Sequence, residues 1–128
     1  MGYFYTGFDY KNRKNGYFKI GETGQKYLSS RISNIQHYDS FQCLGYIELI
    51  GETRSERLFV ESYVRMKMEK VEGLTHTQND HFLYAITSKE EKYSQAQTLA
   101  KIALDYAIEI CDFAKIEYKI GTNLPKRK

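Results

Sequence analysis

Two aromatic segments separated by a polar, basic turn set the start of this chain. Residues 3–8 (YFYTGF) and 17–21 (YFKIG) have the ring-rich composition of strands, and the turn between them ends in Asn15-Gly16. Asn-Gly accepts the positive φ values that tight hairpin turns demand, so the two segments are expected to pair antiparallel. An isolated hairpin is not stable in water, so the rest of the chain must cover it. Gly21 and Gly24 bracket a loop, and from Gln25 to about Tyr38 the residues Leu28, Ile32 and Ile35 recur at helical spacing. Residues 41–50 (FQCLGYIELI) read as a third strand, dense enough in apolar groups to be placed centrally.

Thr53-Arg54-Ser55-Glu56 is a capping box, in which the hydroxyl and the carboxylate each satisfy a backbone N–H at a helix start. It opens a helix to about Lys70 with Val60, Val64 and Met68 inward. Residues 81–86 (HFLYAI) form a further strand, and Ser88-Lys89-Glu90-Glu91 opens a long helix to about Ala114. Ala96, Leu99, Ala103, Tyr106, Ile110 and Phe113 are expected on its inner face, widened by Leu104, Ile108 and Cys111. Such a helix is about 40 Å long. Two uses suit that length: wrapping the sheet, or offering residues 88–114 to a second copy in a homo-oligomer. Residues 116–120 (IEYKI) alternate like a last edge strand. The pattern predicts an α+β fold, a small, mostly antiparallel β-sheet flanked by helices, with a long C-terminal helix.

With 128 residues, 41% apolar and 27% charged, the chain suits one folded domain. Residues 1–86 would form the core, and residues 87–128 a helix, short strand and basic tail packed on it. No apolar run approaches the roughly 18 residues of a membrane span, and the start lacks the pattern of a secretory leader. Cys43 and Cys111 lack metal-site spacing, which fits reduced thiols and a cytoplasmic location. Residues 1–35 carry a net charge of +4, residues 36–114 carry −5, and residues 115–128 carry +4. Basic ends of this kind attract phosphates.

Four segments then fall into a recognisable order. Gly2-Tyr3-Phe4-Tyr5 lies in the first strand, Lys19-Ile20-Gly21-Glu22-Thr23 in the second, Arg31 in the helix after it, and Val60-Glu61-Ser62-Tyr63-Val64 in the second helix; Asp80-His81-Phe82 follows. In this order and context, residues 2–84 resemble the GIY-YIG nucleases, closest to the phage and bacterial subgroup with KIG in place of YIG. Lys19 stands where most members carry a second Tyr, Ile35 where many carry a His, and Asp80-His81 where the subgroup carries Glu-Trp.

The resemblance implies a metal-dependent endonuclease that hydrolyses phosphodiester bonds of DNA. Tyr5 would act on the attacking water. Lys19 would favour the phenolate of a group whose ordinary pKa is about 10. Arg31 would grip phosphate oxygens as a planar fork. Glu61 would ligate Mg²⁺ or Mn²⁺, a hard ion that one carboxylate, waters and phosphate oxygens can satisfy. Asn79 would help place the substrate. From the residues themselves, Tyr17 stands among Lys11, Arg13 and Lys26, a mixture suited to bases stacking on rings while cations hold the backbone. His76 and His81 are five residues apart without a third ligand, a poor metal site.

Plainer readings exist for each residue. Tyr5 could be strand packing, Lys19 edge protection, Arg31 a solvated helix face, and Glu61 the partner of Arg57 or Arg65 on one helix. The alternative function is a catalytically inactive module of the same fold, binding nucleic acid (DNA sooner than RNA) or a small nucleotide, as a phage or host-defence factor. Neither reading involves a membrane.

Overall fold

The computed structural model describes residues 2–10, 16–36, 40–50, 53–78, 81–85 and 89–121. In chain order the elements are β1 (Gly2–Asp9), β2 (Gly16–Thr23), α1 (Leu28–Gln36), β3 (Phe41–Leu49), α2 (Arg54–Met68), β4 (Leu74–Gln78), β5 (His81–Tyr84), α3 (Lys89–Ala114) and β6 (Tyr118–Gly121). The strands form one six-stranded sheet in the order β4-β5-β2-β1-β3-β6, and every pairing is antiparallel. The α+β architecture expected from the sequence is therefore present, long helix included.

β1 lies inside the sheet because it pairs on both sides: Tyr5 stands opposite Gly21 of β2 and opposite Tyr46 of β3. β3 is internal but not central, since β6 lies beyond it. Along β3 the register slips at Thr6/Gly7, skipping Leu44. That bulge keeps Cys43 and Tyr46, three residues apart, on the same side of the sheet. β4 is an element the sequence did not suggest. Its residues LTHTQ are polar, and the strand exists through its pairing with β5.

Alternation along each strand sends neighbouring side chains to opposite faces, and the core divides accordingly. Phe4, Phe8, Phe18, Ile20, Ile47, Leu49 and Phe82 pack with Val60, Val64 and Met68 of α2 and with Ala96, Leu99, Ala103 and Ile110 of α3. On the other face Tyr3, Tyr5, Phe41 and Tyr46 pack with Leu28, Ile32 and Ile35 of α1. The long helix thus joins the same core as the first strands.

α2 begins with the capping box read from the sequence: Glu56 N donates to Thr53 Oγ1 at 3.3 Å, and Thr53 N to Glu56 Oε1 at 2.9 Å. α3 ends differently from its expected face. Phe113, expected inward, is 84% exposed. The helix stops one residue later in a Schellman turn. Ile116 N donates to Cys111 O at 2.8 Å, Lys115 N to Asp112 O at 3.4 Å, and Lys115 takes φ 58°. Ile116 and Cys111 are both buried in the core, closing the turn with an apolar contact.

Candidate active site

The β2–α1 loop fixes where α1 starts. Gln25 N donates to Thr23 Oγ1 at 3.2 Å, and Tyr3 Oη donates to Lys26 O at 3.2 Å. With the loop tied to β1 and β2, α1 lays Leu28, Ile32 and Ile35 on the sheet. Arg31 is carried beside them, and its Nε donates to Tyr5 Oη at 3.2 Å. Tyr5 is fully buried; its ring meets Phe41 edge-on at 6.1 Å and passes across Gly21. Two residues 26 apart in the chain thereby form one polar contact.

Lys19 lies on this same face. It stands opposite Gly7 of β1 and opposite His81 of β5, and directly opposed residues point to the same side. Thr6 Oγ1 donates to the Lys19 carbonyl at 3.1 Å, holding that part of β2 in register. Tyr17, two residues back, is half-buried on the same side. Lys26 is exposed in the loop, with its Nζ 5.4 Å from the centre of the Tyr27 ring. Lys11, Arg13 and Asn79 lie outside the described residues.

Glu61 sits on α2, whose apolar residues pack on the opposite face of the sheet from Tyr5. One of its oxygens accepts from Arg65 Nη1 at 3.1 Å, the i,i+4 ion pair read as its plain role, and its side chain is 14% exposed. Tyr5, Arg31 and Lys19 therefore share a face, and Glu61 approaches from the other layer. Where α2 meets the sheet is marked by Arg57, one turn before Glu61. Arg57 Nε donates to Glu22 Oε2 at 2.9 Å. A Cβ on Gly24 would come within 2.7 Å of the guanidinium. β5 pairs with β2 over Gly16–Lys19 only. Among the described residues no strand pairs with the Ile20–Thr23 end of β2 on that side, and Arg57 of α2 meets it at Glu22 and Gly24.

The donor set suits only one kind of metal site. Among the described residues no group of three His, Cys, Asp or Glu could hold an ion, which excludes an all-protein cage there. A single sheltered carboxylate such as Glu61 fits a Mg²⁺ ion that keeps its waters and takes substrate oxygens. His76 and His81 do not converge. His76 Nδ1 is 3.2 Å from Glu69 Oε1, and its ring lies 5.0 Å from that of Phe82 on the α2 face, whereas His81 shares the face of Lys19.

The other tyrosines here are set apart from Tyr5. Tyr3 and Tyr46, edge-on to each other at 5.9 Å, are both pushed above the ordinary phenol range, first by burial and then by the Glu48 charge. Burial likewise raises the Cys43 thiol to about 11, so it is a poor nucleophile at neutral pH. The sequence reading passed over two residues: His81 as a neighbour of Lys19, and Glu22 as the anchor of α2. The first follows from cross-strand register and the second from the packing of α2 on β2, neither of which a local pattern encodes. No protein-family model matches the chain, and neither a curated protein nor a solved structure matches it.

Proposed function

We propose that this chain is a metal-dependent endonuclease that hydrolyses phosphodiester bonds of DNA with a site of GIY-YIG type. The observation that carries the reading is the 3.2 Å contact from Arg31 Nε to Tyr5 Oη, between two residues that the resemblance assigns to one site. A guanidinium only donates, so the contact favours negative charge on the phenol oxygen. The remaining N–H groups of the fork suit a phosphate.

In this reading the phosphate meets Arg31 first, because Tyr5 lies fully buried beneath it. The reaction requires water to reach Tyr5 Oη while Arg31 Nε keeps its contact with it. Tyr5, once it has released its own proton to solvent beside the Arg31 charge, takes a proton as the phenolate from the water whose oxygen bonds to phosphorus. The opposite P–O ester bond breaks, and the leaving oxygen takes a proton from solvent. Lys19, on the same face of the next strand, adds positive charge beside the reacting phosphate. Glu61 is the residue that would hold a Mg²⁺ ion, which would supply charge neutralisation at the leaving oxygen.

The second reading, a binding module without cleavage, is favoured by the Glu61–Arg65 pair at 3.1 Å, which already occupies one carboxylate oxygen. The discriminating experiment incubates plasmid and oligonucleotide DNA with the protein and Mg²⁺ or Mn²⁺, wild type beside Glu61→Ala. Cleavage by the wild type that the substitution abolishes supports the nuclease. Intact DNA at high protein concentration, with binding retained, supports the binding module instead.

A further inference from the structure

The open part of the sheet face has an order of its own. On β2, Tyr17 and Lys19 are half-buried while Phe18 and Ile20 are fully buried. On β5, His81 and Leu83 are half-buried while Phe82 and Tyr84 are buried. Lys19 stands opposite His81 and Tyr17 opposite Leu83, so the four partly accessible residues belong to the face that bears Tyr5. α1 covers that face over β1 and β3, through Tyr3, Tyr5, Phe41 and Tyr46. Among the described residues the apolar cluster that α1 closes contains no residue of β2 or β5.

Going back along β2 from the phenol of Tyr5, same-face positions recur every two residues, about 6.7 Å apart. Gly21 lies under the Tyr5 ring beside Arg31. Lys19 comes next with His81 across from it, and Tyr17 follows. The row reads phosphate grip, phosphate grip, ring. Lys19 faces Gly7 and His81 across its two strand pairings.

We propose that this floor holds a single strand of nucleic acid lying along β2. Arg31 and the Lys19–His81 pair hold successive phosphates, and a base stacks on Tyr17. The occupant is a strand rather than a duplex because a ring on a flat sheet face can stack only on a base that has left its helix. The proposal rests on reading the Tyr5–Arg31 pair as a phosphate site. It extends that reading from one phosphate to a polynucleotide and adds His81 as a contact.

The test is fluorescence anisotropy of the full chain with labelled oligothymidylates, from the mononucleotide to a hexamer, in EDTA so that no cleavage occurs. Affinity should climb with length up to about a tetramer. Tyr17→Ala should weaken the tetramer between about 5- and 150-fold. Lys19→Ala should reduce the salt slope by about 0.7, the value for one phosphate contact on a single strand, and Lys19→Arg should restore it. His81→Ala should weaken the tetramer more than the mononucleotide. Three results would each overturn the proposal: a mononucleotide bound as tightly as the hexamer, a matched duplex bound more tightly than the single strand, or Tyr17→Ala and Lys19→Ala binding like wild type while melting normally. DNA cleavage with no length dependence removes the strand track alone. Length-dependent binding with no cleavage removes the nuclease alone.

Discussion

The Tyr5 ring occupies the space where any side chain at position 21 would begin: a Cβ built on Gly21 would lie 2.5 Å from both Cζ and Oη of Tyr5. The neighbour is a buried aromatic ring held by Phe41 and Arg31, so it has little freedom to yield. Gly21→Ala should destabilise the fold by about 1–3 kcal/mol through overpacking. It should also disturb the Tyr5–Arg31 contact. Thermal unfolding checks the first effect, and DNA cleavage by the folded fraction checks the second.

Activity and stability should separate at Glu61. Removing its carboxylate forfeits an i,i+4 pair with Arg65, worth about 0.3–0.5 kcal/mol. Glu61→Gln should therefore melt within a degree or two of wild type while losing cleavage. Arg31→Lys keeps the charge but loses the planar fork, and should lower the cleavage rate roughly 100-fold or more. Parallel melting curves and single-turnover rates on one oligonucleotide decide both. Cleavage by Glu61→Gln at the wild-type rate would count against the metal role.

Arg57 and Glu22 tie α2 to β2 through a pair whose side chains are only 15% and 19% exposed. Loss of either partner leaves a poorly solvated charge behind. Arg57→Ala and Glu22→Ala should each cost about 1–3 kcal/mol. The double variant should cost less than their sum, and a urea double-mutant cycle measures the coupling.

The end of α3 offers a stabilising change. Lys115 adopts φ 58°, a conformation that costs a side-chain-bearing residue about 1 kcal/mol or more and glycine almost nothing. Lys115→Gly should raise stability by up to about 1 kcal/mol and leave cleavage unchanged. Denaturant midpoints at equal slope test it.

Alkaline pH should unfold the protein in steps. Burial lifts the Cys43 and Cys111 thiols from 9.0 to about 11, and burial followed by the Asp9 charge lifts Tyr84 from 10.0 to about 12. Each folded-state value exceeds the unfolded one, so the folded chain holds protons that the unfolded chain has released. Stability from the thiols is complete below about pH 9 and falls between 9 and 11; that from Tyr84 falls between 10 and 12. Lys92, lowered chiefly by burial, acts in the opposite sense below 10.5. Urea midpoints at pH 8, 10 and 11 should decline, and the Cys43→Ala/Cys111→Ala variant should lack the earlier part of that decline.

Local signals served the elements well. The Thr53–Glu56 box, the helical spacing of Leu28, Ile32 and Ile35, and the inward set Val60, Val64 and Met68 all appear as read. What failed depended on distant partners. β4 is polar and is a strand because β5 pairs with it, and Phe113 falls outside the core because the chain reverses at Lys115 and buries Ile116. At the site, the Tyr5–Arg31 contact joins residues proposed together from their order in the chain. The Lys19–His81 neighbourhood and the layer occupied by Glu61 depend on register and crossover, which sequence order leaves open.

The order β4-β5-β2-β1-β3-β6 has a consequence for assembly during synthesis. The three earliest strands are contiguous in the sheet, β5 and β4 extend it beyond β2, and β6 extends it beyond β3. A chain emerging from the ribosome can therefore pair β1, β2 and β3 first, whereas β4 has no partner until β5 is made and joins it to the β2 flank.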